Sequence, residues 1–242
     1  MAFERDDRMT AAYLAMLLAD GRLPTGAHTQ SAGVEPALAH GMRLDQLPHY
    51  LRVRLRTVTG VEAAAAVVAR HRWLAAGTTE AILPLTHGRN PSVVEAMREV
   101  DAAWRVRTLS DALREASDLL GRSYLRTAAA VWDLRPLLTG EVWCRAVVLG
   151  ATAAAAGLSS AELARLVGFE DVQTVVAAAL KLVPFDPSQG VRWSVEAAAE
   201  VEQMVDRVQA AQATVDIPAR SAPLIEEWAQ LHRSTERRLF RA

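Results

Sequence analysis

Apolar residues recur at helical spacing along the chain, and no stretch alternates with the two-residue period of a half-buried strand. Tyr13, Leu14, Leu17 and Leu18 form the first stripe, on a helix predicted from Thr10 to Asp20. Gly21-Arg-Leu-Pro-Thr-Gly26 then breaks the pattern. Further helices are predicted from Ser31 to His40, from Asp45 to Val58, and to Ala76 after an interruption at Gly60. A short one follows near Thr78 to Leu83, and another runs from Asn90-Pro91 to Thr108. Ser110 or Asp111 caps a helix to Asp133, and Glu141 to Ala156 is helical. Ser159 and Glu162 have capping-box spacing for a short helix ending at Gly168, and Asp171 caps the next, to Leu182. Ser194 opens a long helix to Ala213, and Ser221 caps the last. The expected fold is all-α: a single globular bundle of about ten helices with mobile N- and C-terminal arms. Residues 1–8 are the N-terminal arm, 9–231 the helical domain and 232–242 the tail.

Composition supports this reading. Alanine, the best helix former, fills 46 positions, whereas aromatics make up 5%. The surplus alanine is either helix filler or a sign of apolar surface kept for partners. Basic and acidic residues balance at 27 and 28, which argues against a nucleic-acid binder relying on overall basicity. One cysteine excludes an intramolecular disulfide framework and any multi-cysteine metal site. The first ten residues have no apolar core, so no signal peptide is expected. The run Ala146–Leu158 is shorter than the ~20 residues a membrane span needs. A cytoplasmic protein without membrane contact is the expectation. Among the basic residues, 26 are Arg and one is Lys, Lys181.

The common catalytic motifs are missing: no phosphate loop, GxGxxG, HExxH or GxSxG occurs. The histidines at 28, 40, 49, 71, 87 and 232 include no i,i+3 or i,i+4 pair, and Cys144 lies in an apolar context. A helical small-molecule enzyme therefore has little to recommend it. Ser160–Val175 has the rhythm of a helix-turn-helix, with Gly168 at the turn, and suggests a DNA-binding regulator as the alternative. Its second helix, Val172–Val183, is apolar on nearly every side and lacks the polar groups that read base edges.

Three stretches in order resemble one family. Leu23-Pro-Thr-Gly-Ala-His-Thr-Gln-Ser-Ala-Gly-Val-Glu35, with Ala39-His-Gly41, is similar to the LPxGxFxxSxGLExAxxxG signature of the urease accessory proteins UreF. Ala177-Ala-Ala-Leu-Lys-Leu-Val-Pro184, with Ser188-Gln-Gly190, is similar to that family's AxxKLxP segment. His232–Ala242 looks like its HExxxSRLFRS end. Ser117 to Arg122 matches a central SxxxGR more weakly. His28 stands where the family has an aromatic, Phe185-Asp186 replaces LG, and Ala242 replaces the final serine. The resemblance implies an all-α, non-catalytic chaperone of metallocentre assembly that dimerises. It implies binding to an accessory protein, UreD (or UreH), and with it to the nickel-binding GTPase UreG, regulating nickel insertion into the urease apoprotein. No cofactor would be bound stably, and Ni²⁺ would be handled by the complex.

The matched residues also have a physical reading. Ser31 and Glu35, four apart, would share a helix face that is either a structural cap and turn or a partner surface. Lys181 either snorkels beside Leu180 and Leu182 or contacts the GTPase. In the tail, Arg237, Arg238 and Arg241 flank Leu239 and Phe240. Folding on a partner is expected, with Phe240 filling a pocket and the arginines pairing at its rim. Far-ultraviolet circular dichroism should show helical minima; a substantial strand component would contradict the all-α reading.

Overall fold

A computed structural model describes residues 7–80, 92–235 and 238–240. Ten α-helices occur among them: α1 (Asp7–Leu18), α2 (Val34–Ala39), α3 (Leu47–Arg56), α4 (Val58–Glu80), α5 (Val93–Arg105), α6 (Asp111–Ala128), α7 (Arg145–Ala155), α8 (Ser160–Leu182), α9 (Pro187–Val208) and α10 (Pro223–Arg233). No strand occurs among the described residues, and no helix there is long and apolar enough to cross a membrane. The all-α expectation holds.

The fold is built around α4. It packs most extensively against α7 and also touches α3, α5, α8 and α9. Ala63 to Ala69 are seven consecutive residues without solvent exposure, and Ala146 to Val148, Ala151 and Thr152 match them on α7. A helix apolar all round is a buried helix. Much of the alanine is thus neither filler nor exposed patch: small side chains let two central helices approach closely. Gly150 marks the closest point. A Cβ there would stand 2.6 Å from Ala69 Cβ and 2.8 Å from the Arg70 nitrogen, and closer still to the Ala66 carbonyl oxygen. Around this pair, α8 packs on α9, α6 on α7, and α3 on α9. The last helix, α10, lies against α2 and α6, which brings the chain's end back to its beginning.

Several boundaries differ from the sequence expectation, each for a local reason. The break between α3 and α4 falls at Thr57, whose hydroxyl donates to the Val53 carbonyl, and α4 runs straight through Gly60. α7 begins four residues later than expected. Before it, Trp143 Nε1 donates to the Leu137 carbonyl and the Cys144 amide donates to Asp101 Oδ1, holding that segment extended. α9 starts at Pro187, capped by Asp186, rather than at Ser194. α5 is opened by a Ser92–Glu95 capping box. α4 also continues past the expected end at Ala76 to Glu80, so Thr78 belongs to it rather than opening a short helix; the rest of that expected helix, 81–83, and the start at Asn90-Pro91 lie outside the described residues.

The main correction concerns residues 160–182. The Ser159–Glu162 capping box forms, but Gly168 ends nothing: α8 is one unbroken helix. Gly168 faces Val201 and Met204 of α9, and Asp171 is paired through its side chain rather than capping a helix. The turn that a helix-turn-helix requires is not there.

Substitution at two glycines tests the packing account. Gly150→Ala should destabilise the protein by about 3 kcal/mol, because backbone rather than a flexible side-chain end stands in the way. Gly77→Ala near the exposed end of α4, where a Cβ meets nothing within 4 Å, should stabilise by about 0.5–1 kcal/mol. Urea denaturation midpoints read both; equal effects would contradict the close approach.

Candidate functional site: the glycine turn and the docked tail

The site starts in the turn before α2. Gly26 and Gly33 have φ of 83° and 79°, and Ala32 between them has φ of 50°, a left-handed conformation that costs a residue with a Cβ about 1–2 kcal/mol. Two donors hold Ala32 in place: Tyr50 Oη and Arg54 Nη1 give hydrogen bonds of 2.6 Å and 2.9 Å to its carbonyl oxygen. A Cβ on Gly33 would stand 2.7 Å from that Tyr50 oxygen. Arg54 is itself clamped, with Nε and Nη2 donating to the Asp171 carboxylate at 3.0 Å and 2.5 Å. Thr59 Oγ1 adds a third bond to Asp171, at 2.8 Å. Both charges are nearly buried. Burial opposes the charge on Arg54, but Asp171 and Tyr50 outweigh it and hold its pKa above the ordinary range. Burial pushes the Tyr50 phenol up to about 12.

A second ionic cluster lies beside the first. Arg145, at the start of α7, donates to Glu62 Oε1 of α4 at 2.8 Å and also pairs with Glu170 of α8. Its backbone amide donates to Ser117 Oγ of α6 at 2.9 Å. Burial raises the Glu170 carboxyl pKa, against the pull of Arg145. Burial also raises Tyr124, and the Glu170 charge adds to the shift. The Tyr124 hydroxyl and the Ser31 hydroxyl are buried without a hydrogen-bond partner. Glu62, Arg145, Glu170, Arg54 and Asp171 line a partly open cleft of about 160 Å³. Among the described residues, no three His, Cys, Asp or Glu side chains are grouped so as to hold a metal ion.

The third part is the chain's end. The Glu35 carboxylate accepts the backbone amides of Leu239 and Phe240, at 2.6 Å and 2.9 Å. His232 Nε2 lies 3.2 Å from the Phe240 carbonyl oxygen and 3.6 Å from Glu35 Oε2. The Phe240 ring is 4% exposed and belongs to the main core cluster. Lys181 Nζ sits 5.4 Å from its ring centroid, within cation–π range. Arg238 Nη1 donates to the His232 carbonyl at 3.3 Å.

The structure therefore brings Glu35, Lys181, Leu239 and Phe240 to one place, although more than 200 residues separate the ends of that set. Two expectations change. Ser31 does not share a helix face with Glu35, because α2 begins only at Val34 with Gly33 as its cap, and Ser31 is fully buried. Phe240 fills a pocket of its own chain, while Leu239 stays 63% exposed. Arg237 and Arg241 lie outside the described residues. Arg54, Asp171, Arg145, Glu62 and Glu170 carried no sequence signal, since each pair joins residues far apart in the chain.

Arg54→Met leaves Asp171 buried and unpaired and should lower stability by about 3–5 kcal/mol. The double substitution Arg54→Met, Asp171→Leu should recover part of that loss. Chemical denaturation of the two single variants and the double variant measures it; strict additivity would contradict a direct pair.

Comparison with known proteins shows the family. The UreF family model matches residues 43–198. The urease accessory protein UreF of Mycobacterium marinum (strain ATCC BAA-535 / M) is 32% identical over 239 residues, covering 96% of this chain and 99% of that protein. UreF of Mycobacterium tuberculosis (strain ATCC 25177 / H37Ra) is 33% identical over 235 residues, and UreF of Mycobacterium sp. (strain JLS) 35% over 242, with the same coverage. The family is one of accessory proteins, not enzymes. With its glycine turn, its lysine and its tail meeting on one surface, this chain belongs to the UreF family of urease accessory proteins.

Proposed function

We propose that this protein is a non-catalytic scaffold in urease maturation. It binds a UreD- or UreH-type accessory protein and, with it, a UreG-type GTPase, and it regulates the passage of Ni²⁺ as cargo into the urease apoprotein. It works as a homodimer in the cytoplasm. The observation that carries this reading is the convergence of Glu35, Lys181 and the tail on one surface. Each belongs to a different stretch of the family signature, and a shared surface explains why three separated stretches are similar together.

The chemistry of that surface suits recognition rather than reaction. Lys181 is an exposed ammonium on the last turn of α8, Arg238 is exposed in the tail, and Leu239 offers an apolar side chain to a partner. Leu239 is the contact whose burial would add affinity, while exposed cations chiefly alter encounter rate and salt dependence. Phe240 acts one step back, by anchoring the segment that displays Leu239.

Lys181→Ala should reduce nickel loading of urease several-fold and leave the thermal midpoint nearly unchanged; proportional loss of both would make the lysine structural. Leu239→Ala should weaken co-purification with the accessory partner at all ionic strengths, by roughly tenfold for a buried leucine. Arg238→Ala should matter most at low salt. If a chain lacking residues 237–242 retains the partner as well as the full chain does, the tail is not a docking element.

A further inference from the structure

A small, partly open pocket of about 100 Å³ lies where Lys181 meets the end of the chain. Its polar wall is made of Lys181, His28, Gln30, Gln173 and Thr174, and no Asp or Glu lines it. Glu35, the carboxylate that touches the tail, is occupied by the Leu239 and Phe240 amides and is not part of that wall. The buried and half-buried guanidinium groups of Arg54, Arg105 and Arg145 are each met by carboxylates. Lys181 has the Phe240 ring beside it and, among the described residues, no carboxylate within ion-pairing distance. The exposed His28 ring makes no hydrogen bond there either.

The wall therefore offers unspent donors. The Gln30 and Gln173 amides each give one bond elsewhere, to Thr29 Oγ1 at 3.4 Å and to Ser194 Oγ at 3.3 Å, and each keeps a second N–H. The Thr174 hydroxyl alone is spent, on the Glu170 carbonyl at 2.7 Å. The opposite wall is apolar, formed by Ala27, Ala177, Ala178 and the Phe240 ring. A group that satisfies both walls carries negative charge at its tip and a short aliphatic stem behind it. A carboxylate on one or two methylenes has that form, whereas a phosphate, polar on every side, leaves the apolar wall unmatched. The volume is that of about three waters, which suits so small a group.

We propose that this pocket is a receptor for a carboxylate on a short aliphatic stem, the Asp or Glu side chain of a protein partner. Lys181 supplies the charge, and His28 and the two glutamine amides supply hydrogen bonds, which are stronger to an ionised acceptor than to a neutral one. The partner rests on the scaffold reading above; the carboxylate chemistry belongs to this chain and is measurable with no partner present. His28 sets this chain apart from the family signature, which has an aromatic at that position. A phenyl ring there would supply apolar contact and no donor.

Lys181 is the only lysine in the sequence, so lysine labelled with carbon-13 at the ε position gives a single side-chain resonance on the full chain. Sodium acetate titrated at constant ionic strength should shift that resonance along a saturable curve, with a dissociation constant on the order of 1–10 mM. Acetamide, its neutral isostere, should not. N-acetylglutamate N-methylamide, which presents the carboxylate as a side chain does, should bind at least as tightly as acetate, and its glutamine counterpart should not bind. His28→Phe, at an exposed position, should weaken acetate at least fivefold, and Gln173→Leu should do likewise. The proposal is overturned if the acetate shift on the wild-type chain is linear and unsaturated, if acetamide reproduces it, or if both folded variants bind as the wild type does. Binding of acetate without the blocked glutamate overturns the side-chain source. Loss of partner co-purification with acetate binding intact would count against the scaffold reading and not against the pocket's carboxylate chemistry.

Discussion

The buried pair of Arg54 and Asp171 is the interaction on which the site depends. It ties α3 to α8, and Thr59 brings α4 to the same carboxylate. Arg54 still has an N–H to spare, and that donor holds the Ala32 carbonyl in a turn that alanine would not adopt by preference. Replacing such a pair by apolar residues is often neutral for stability. Its role here is positional: a guanidinium reads a carboxylate and a carbonyl together, so helix packing dictates the path of the 26–33 turn. That path in turn sets where α2 starts and where Glu35 points.

The rest of the architecture makes this position rigid. α4 and α7 approach closely because their facing residues are alanine, with glycine at the tightest point. Arg145 sits at the first turn of α7 and reaches Glu62 on α4 and Glu170 on α8, next to Asp171. Close packing and the two ionic clusters therefore share the same helices. The Ser117–Arg122 stretch takes part in this packing: Ser117 accepts the Arg145 amide, and Gly121 lies flush against the Trp143 carbonyl.

Helical periodicity made the fold class legible, since it depends on neighbours a turn apart. Capping chemistry is equally local: the box expected at Ser159–Glu162 forms, and the one at Ser92–Glu95, which the reading passed over for Asn90-Pro91, opens α5. Gly168 and Gly60 misled for one reason: each reads as a breaker in isolation, but close helix neighbours favour glycine inside a helix. The family motifs pointed to Glu35, Lys181 and the tail, yet not to what those residues do. Glu35 looked like a helix-face carboxylate and is an acceptor for main-chain amides of the tail. Phe240 looked like a group held for a partner and is part of the core. Sequence spacing carries no information about a contact made across 205 residues.

The central claim is that the Glu35 carboxylate docks the chain's own end, and amide hydrogen exchange tests it most directly. The account predicts that the Leu239 and Phe240 amides are protected in the wild-type protein. It also predicts that Glu35→Ala removes that protection while the α4 and α7 amides exchange as slowly as before. Exchange of the Leu239 and Phe240 amides at free-peptide rates in the wild-type chain would contradict it.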